Sequence, residues 1–222
     1  MKPLFTHLFW DFDGTLYDTY GQMTEAMLCA LSDMGTAAQS AEVYVLLKVS
    51  VYHAACVLAE RFSLPLQDLC NAFHLHHDQI LGFSMYPGMD ICIQALKKAG
   101  CKHYLYTHRN RTAIRQLEED GLVCFFSGFV TREDGYPHKP APDALEAMLQ
   151  KYGVDPTDAV MIGDRRVDIS AGHNAGMAGI LFDPGEFFPE VVTEYQVQSM
   201  EEMTVLISRG QEEGFSFMPG RL

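Results

Sequence analysis

Apolar positions along the chain fall into two alternating patterns. Short, nearly continuous apolar runs occur at Leu8-Phe9-Trp10, His103–Thr107, Phe125–Thr131, Ala159–Gly163 and Gly179–Phe182. Runs of that length and composition read as strands buried on both faces, although Gly128 weakens the third. Between them the apolar spacing turns helical: Met89–Ala99 closed by Gly100, Arg111–Asp120 closed by Gly121, Pro142–Tyr152 opened by a proline, and Asp168–Ala175. Strands alternating with helices predict an α/β fold with a doubly wound parallel sheet, a Rossmann-like core. The stretch from Tyr17 to Phe83 breaks the alternation. Thr24–Met34, Val43–Leu47, Val51–Phe62 and Leu66–Leu81 carry helical stripes and few strand signals. The expected division is therefore a core of residues 1–16 and 85–222, with residues 17–84 inserted as a small all-helical cap. The two boundaries would lie close together and act as a hinge.

Composition narrows this picture. The 222 residues are 48% hydrophobic, enough for a sizeable core, and the net charge of −13 (pI ≈ 5.0) argues against nucleic-acid or anionic-membrane partners. The six cysteines show no metal-ligand spacing and sit in apolar periodic segments, so buried free thiols are expected. With no membrane-length apolar run and no leader pattern at Met1–Phe5, the chain reads as a cytoplasmic protein, a monomer or weak homodimer. The role of Gly210–Leu222 is left open.

The first strand ends in Asp11-Phe12-Asp13-Gly14-Thr15-Leu16. Strand residues two apart point to one side, so the two carboxylates share one small volume, a cost that a cation would relieve. Ligands of doubly wound sheets bind outside the carboxyl ends of the strands. Three further polar groups fall at such ends or in the loops after them: Thr107-His108-Arg109, His138-Lys139-Pro140, and Gly163-Asp164-Arg165-Arg166-Val167-Asp168. That set suits phosphoryl transfer. Asp11 would attack phosphorus, Asp13 would protonate the leaving group and then activate water, and Asp164 would complete a Mg²⁺ site with Asp11. Lys139 would neutralise phosphate charge and hold Asp11 ionised, and Thr107 would donate to phosphate.

In this order the motifs resemble those of the haloacid dehalogenase-like hydrolases, over nearly the whole chain. The helical insertion looks like their subclass with a small helical cap, with phosphoglycolate phosphatase and β-phosphoglucomutase as similar relatives. The resemblance implies Asp11 as nucleophile, Asp13 as acid/base, and Mg²⁺ held by Asp11, the Asp13 backbone carbonyl and Asp164. Asp168 would bind the metal directly or through water, or orient Lys139. A second acid at Asp13 favours phosphatases and mutases over dehalogenases, and Thr15 leans toward hydrolysis. The implied activity is Mg²⁺-dependent hydrolysis of a small phosphorylated metabolite. A phosphosugar mutase and a non-catalytic binding protein are the alternatives.

The family often places asparagine after the Thr107-type residue, where this chain has His108 and Arg109. Both are candidate substrate contacts, with Arg109 either a second positive group near phosphate or a surface cover. Lys48 and Ser50, with His53 nearby, are the cap's candidates; alternatively they are a surface lysine beside a helix N-cap. One of Arg165 and Arg166 is placed to pair with neighbouring carboxylates, and Arg166 reads as a solvated loop charge. His74, His76 and His77 cluster on a cap helix without a recognised metal spacing and read as surface histidines.

Overall fold

The computed structural model describes residues 2–80 and 82–209. Six parallel strands form one sheet in the order β5-β4-β1-β6-β7-β8: β5 Phe126–Val130, β4 Lys102–Tyr106, β1 His7–Trp10, β6 Ala159–Gly163, β7 Ala178–Phe182 and β8 Tyr195–Val197. The expected α/β class holds.

Side-chain alternation divides the core. Leu8, Trp10, Leu105, Val160 and Ile162 face one layer, covered by α5 (Met89–Lys98), α6 (Thr112–Glu119) and α9 (Met200–Arg209). Phe9, Tyr104, Tyr106 and Met161 face the other, covered by α7 (Asp143–Tyr152) and α8 (Arg166–Asn174). A strand with helices on both faces has no solvent side, which is why these segments read as continuous apolar runs.

Four helices are inserted after β1: α1 Tyr20–Asp33, α2 Ser40–Val49, α3 Val51–Phe62 and α4 Leu66–His77. They bury their own cluster, including Met27, Leu31, Leu47, Leu58 and Phe73. The segment from Tyr17 to Phe83 is not helical throughout. Tyr17–Asp18 (β2) pairs antiparallel with Ser84–Met85 (β3), a two-stranded ribbon at the root of the insertion. Gly179–Phe182 is likewise not the last strand, since β8 follows it. The tail from Gly210 lies outside the described residues.

Of the six free cysteines only Cys92 and Cys101 are buried, while Cys29 and Cys124 are exposed, which corrects the expectation of six buried thiols. Among the described residues no helix is long and apolar enough to cross a membrane.

Gly128 is required inside β5 by a neighbour. A Cβ there would stand 2.2 Å from the Tyr152 hydroxyl and 2.7 Å from the ring carbon bearing it. Gly128→Ala should therefore cost about 1–3 kcal/mol in denaturant unfolding. Most of that loss should be recovered in a Tyr152→Leu background, because the two sites share one space. Additive losses in the double variant would refute this account.

Candidate active site

Asp11 follows β1, and its amide donates to the Ile162 carbonyl of β6 (2.9 Å), so the sheet ladder itself fixes the residue. Its side chain is 2% exposed. Gly14 then turns the chain with φ at +77°, a conformation that L residues avoid. A Cβ on Gly14 would stand 2.3 Å from Asp164 Oδ2, so the turn also needs glycine for the close approach of β6's end.

Lys139 sits on the loop between β5 and α7. Its ammonium donates to Asp11 Oδ1 (2.6 Å), Asp168 Oδ1 (2.8 Å) and the Tyr106 carbonyl (3.0 Å), which uses all three of its hydrogens. Asp168, in the first turn of α8, accepts the Arg165 amide on its other oxygen (3.1 Å). Asp164 follows β6, and its Oδ2 accepts the Tyr20 hydroxyl of α1 (2.6 Å) with Lys48 Nζ of α2 at 3.6 Å. Each of the two acids thus keeps one oxygen open: Asp11 Oδ2 and Asp164 Oδ1 are buried and have no hydrogen-bond partner. Oxygens of Asp11, Asp164 and Asp168 lie within 4.8 Å of one another, close enough to share a cation. Hard divalent cations take carboxylate oxygens, so Asp11 and Asp164 fit such an ion, whereas both Asp168 oxygens are already engaged.

Asp13 is treated differently. Arg109 donates to it through Nη2 (2.5 Å to Oδ1) and Nε (3.1 and 3.2 Å), and Thr19 Oγ1 adds a bond to Oδ1 (2.7 Å). Burial pushes the Asp13 carboxyl up, but the Arg109 charge and its hydrogen bonds, helped by the Thr19 hydroxyl, outweigh it and hold the group at about 2. For Asp11, burial wins: it raises the carboxyl to about 7, with Lys139 opposing and Asp168 and Asp164 adding to the rise. Lys139 acts in the expected direction, favouring the ionised Asp11 against the cost of its burial, and shares its charge with Asp168. Burial also raises Asp164, while Lys139 itself is driven upward by Asp11 and Asp168 against the cost of its own burial.

The remaining candidates fall into two groups. Thr107, Arg109 and Lys48 are brought to the site. Thr107 is buried at the end of β4, with its hydroxyl accepting the Arg109 amide (3.0 Å). Arg109 is 2% exposed and packs over the rings of Phe83 and Phe12, so it is neither a surface cover nor free for a ligand. Lys48 is buried with its ammonium 3.7 Å from the Tyr20 ring centre, which rules out the surface reading. His108 and Ser50 hold backbone instead. His108 Nε2 accepts the Lys139 amide (3.0 Å), and burial next to Lys139 pushes its imidazole down to about 3. Ser50 Oγ accepts the His53 amide and caps α3. His77 is buried rather than a surface histidine, and exposed Arg166 pairs with the exposed Glu190.

Sequence reasoning undervalued Arg165, which is partly buried with Nη2 4.0 Å from Asp11 Oδ2 and Nε 3.7 Å from Asp164 Oδ1. It missed Tyr20 and Thr19, whose only signal was their place just after the first motif.

A family model described as haloacid dehalogenase-like hydrolase matches residues 8–182. The chain belongs to that family. It is a hydrolase. It is similar to the pyrophosphatase PpaX of Bacillus velezensis, 29% identical over 174 residues that cover 77% of this chain and 80% of that one. PpaX of Bacillus cereus is 36% identical over 104 residues, 46% of this chain and 47% of the relative. The fold is also that of the crystal structure of a predicted phosphoglycolate phosphatase from Haemophilus somnus, with a TM-score of 0.76, 18% identity, and coverage of 91% and 98%.

Lys139→Met would leave Asp11 and Asp168 buried without their shared cation. Unfolding at pH 8 should become easier by about 3–5 kcal/mol. In the wild type the lowered Asp168 contributes stability above its unfolded value, which is lost as pH falls. Without Lys139 that sign reverses, since the neutral acid is the cheaper one to bury, so the variant should recover part of its loss at pH 5. An equal loss at both pH values would refute the buried-charge account.

Proposed function

We propose that the chain is a Mg²⁺-dependent phosphatase that hydrolyses a small phosphorylated metabolite through an aspartyl-phosphate on Asp11. The observation that carries this reading is the pair of open, buried oxygens, Asp11 Oδ2 and Asp164 Oδ1. Charge supports it as well. With every group ionised, Asp11, Asp13, Asp164 and Asp168 balance Lys48, Arg109, Lys139 and Arg165 in charge. A divalent cation and a dianionic phosphoryl group enter as a neutral pair. Asp11 and Asp164 would hold the cation, which supplies charge stabilisation for the phosphoryl oxygens.

The chain's own residues then divide the work. The Asp11 carboxylate attacks phosphorus as the bond to the leaving oxygen breaks. Lys139 keeps its hydrogen bond on Asp11 and so fixes which face of the carboxylate reacts, while Asp168 fixes Lys139. Thr107, at the end of β4, would donate its hydroxyl hydrogen to a phosphoryl oxygen. In the second step water attacks the acyl phosphate, and Asp13 accepts its proton. Tyr20 and Lys48 bring the helical insertion over the site, where Lys48 would meet an anionic group of the substrate and water is excluded. Residues 17–84 would serve as the cap, with the β2–β3 ribbon as its hinge. Free cysteines and the acidic surface support a cytoplasmic setting.

The state of Asp13 favours one kind of substrate. A carboxyl that Arg109 holds low stays ionised and has no proton to give a leaving group. Weakly basic leaving groups, such as the phosphate of a phosphoanhydride, need no proton from it. The pyrophosphatase named among the relatives agrees with that preference.

Phosphate release from an aryl phosphate should require Mg²⁺, stop on chelation and vanish in Asp11→Asn. Activity that survives Asp11→Asn would sink the mechanism. Cation binding should also displace the proton that burial keeps on Asp11. Calorimetry in buffers of different ionisation heat should show about one proton released per Mg²⁺ at pH 6 and almost none at pH 8.5. Equal release at both would contradict the raised Asp11.

A further inference from the structure

Arg109 has a second partner that the reaction does not explain. Its Nη2, the same nitrogen that donates to Asp13 Oδ1, also donates to His77 Nε2 at 2.8 Å. His77 is the last residue of α4, in the helical insertion, and its ring stacks on Phe73 of that insertion's core at 5.0 Å between centroids. On its other side His77 Nδ1 faces Asp78 Oδ1 at 3.5 Å, which suits a proton on Nδ1 and leaves Nε2 free to accept. Arg109 and His77 are both almost wholly buried. The guanidinium is fixed from its flanks by the Phe83 and Phe12 rings, at 4.3 and 5.4 Å from their centres. A second core arginine grips the same helix end without touching Asp13: Arg132 donates to Asp78 Oδ2 (2.5 Å) and to His74 Nδ1 (3.2 Å).

Resting on the phosphatase reading above, we infer that Arg109 is a positioning residue for Asp13, and that His77 completes its support from the helical insertion. A guanidinium is a planar fork whose direction is set by its partners. With His77 accepting at Nη2, the fork presents Nη2 and Nε to Asp13 together, and the carboxylate is held in one orientation. Removing that acceptor leaves Nη2 free to turn, and Asp13 loses its fixed aim although none of its own atoms has changed. The base for water attack on the acyl phosphate is therefore assembled only when α4 is docked. Arg132 contributes to docking, while Arg109 with His77 converts docking into orientation.

The step most exposed to this arrangement is hydrolysis of the phosphorylated enzyme. There water's oxygen bonds to phosphorus, the bond from phosphorus to the Asp11 oxygen breaks, and one water proton goes to Asp13. The test uses an aryl phosphate with Mg²⁺, measuring the burst of aryl alcohol and the decay of phosphorylated Asp11 by rapid quench. His77→Phe keeps the ring stack on Phe73 but offers no acceptor. Its phosphoenzyme decay should slow by about tenfold or more, with the burst rate held within about twofold. His77→Gln, whose amide oxygen can accept, should restore decay to within about twofold of the wild type. Arg132→Met, which weakens docking but leaves the Arg109 fork its acceptor, should raise KM and slow decay far less than His77→Phe does. Equal slowing of burst and decay in His77→Phe, or slowing in Arg132→Met as large as in His77→Phe, would overturn the assignment. Failure of the phosphatase reading looks different: the wild type would then release no aryl alcohol and form no phosphoenzyme.

Discussion

Burying carboxylates together is the constraint to which the rest of this site answers. Asp11, Asp164 and Asp168 are each 2% exposed or less, and Asp13 is mostly covered. Desolvation acts against every one of them, and each lacks water to disperse its charge. The surroundings consist of responses to that cost. Lys139 uses all three ammonium hydrogens, two of them on carboxylates. Arg165 adds charge at 3.7–4.0 Å without hydrogen bonds, a longer-range compensation that leaves the open oxygens open. A pocket built only for stability would close those oxygens, because an unpaired buried acceptor is costly. Their openness is the structural sign that something else is meant to bind.

The sheet order explains how such a pocket can exist. β4, β1 and β6 are neighbours at the centre of the sheet, so Thr107, Asp11 and Asp164 leave it at adjacent carboxyl ends, and oxygens of Asp11 and Asp164 come within 4.8 Å of each other. The loop after β5 brings Lys139, and α8 turns Asp168 back toward it. The core supplies the carboxylates and their strongest partners. The helical insertion supplies Tyr20, Lys48 and His77, one contact each to Asp164, Asp164 and Arg109. The two halves therefore meet on the acids themselves, and movement of the insertion on its ribbon would change the electrostatics of the site as well as its access to water.

Much of this was legible in the chain because the motif residues stand at strand ends, where topology alone decides who meets whom. The continuous apolar runs revealed the central strands, since burial on both faces leaves no polar alternation to confuse with a helix. The ribbon β2–β3 and the edge strand β8 were not legible: two or three residues carry no measurable periodicity, and their pairing depends on elements distant in sequence. Side chains whose role depends on packing were also hidden. His77 looked like part of an exposed histidine cluster until α4 docked against Arg109, and Arg109 looked like a surface charge until Phe12 and Phe83 enclosed it. Asp168 was placed among the metal ligands as one of two readings, and its two occupied oxygens favour the other, the orientation of Lys139.

Asp11 and Asp13 are two residues apart, share one strand end and are both raised by burial, yet their carboxyls are driven in opposite directions, to about 7 and about 2. Burial cannot be the source of that difference, since it raises both. The difference lies in how their cations are shared. Lys139 is divided between Asp11 and Asp168, with Asp164 as a further like charge nearby. Arg109 gives its hydrogen bonds on Asp13 to no other carboxylate, and Thr19 adds its own. Two acids whose environments separate their proton affinities in this way are suited to different roles. Asp11 is left short of positive charge, which an incoming cation can supply at the moment a nucleophile is needed. Asp13 is already ionised and already aimed, so it needs no ligand to become a base. The asymmetry follows from the single decision to spread one lysine over two acids while reserving one arginine for the third.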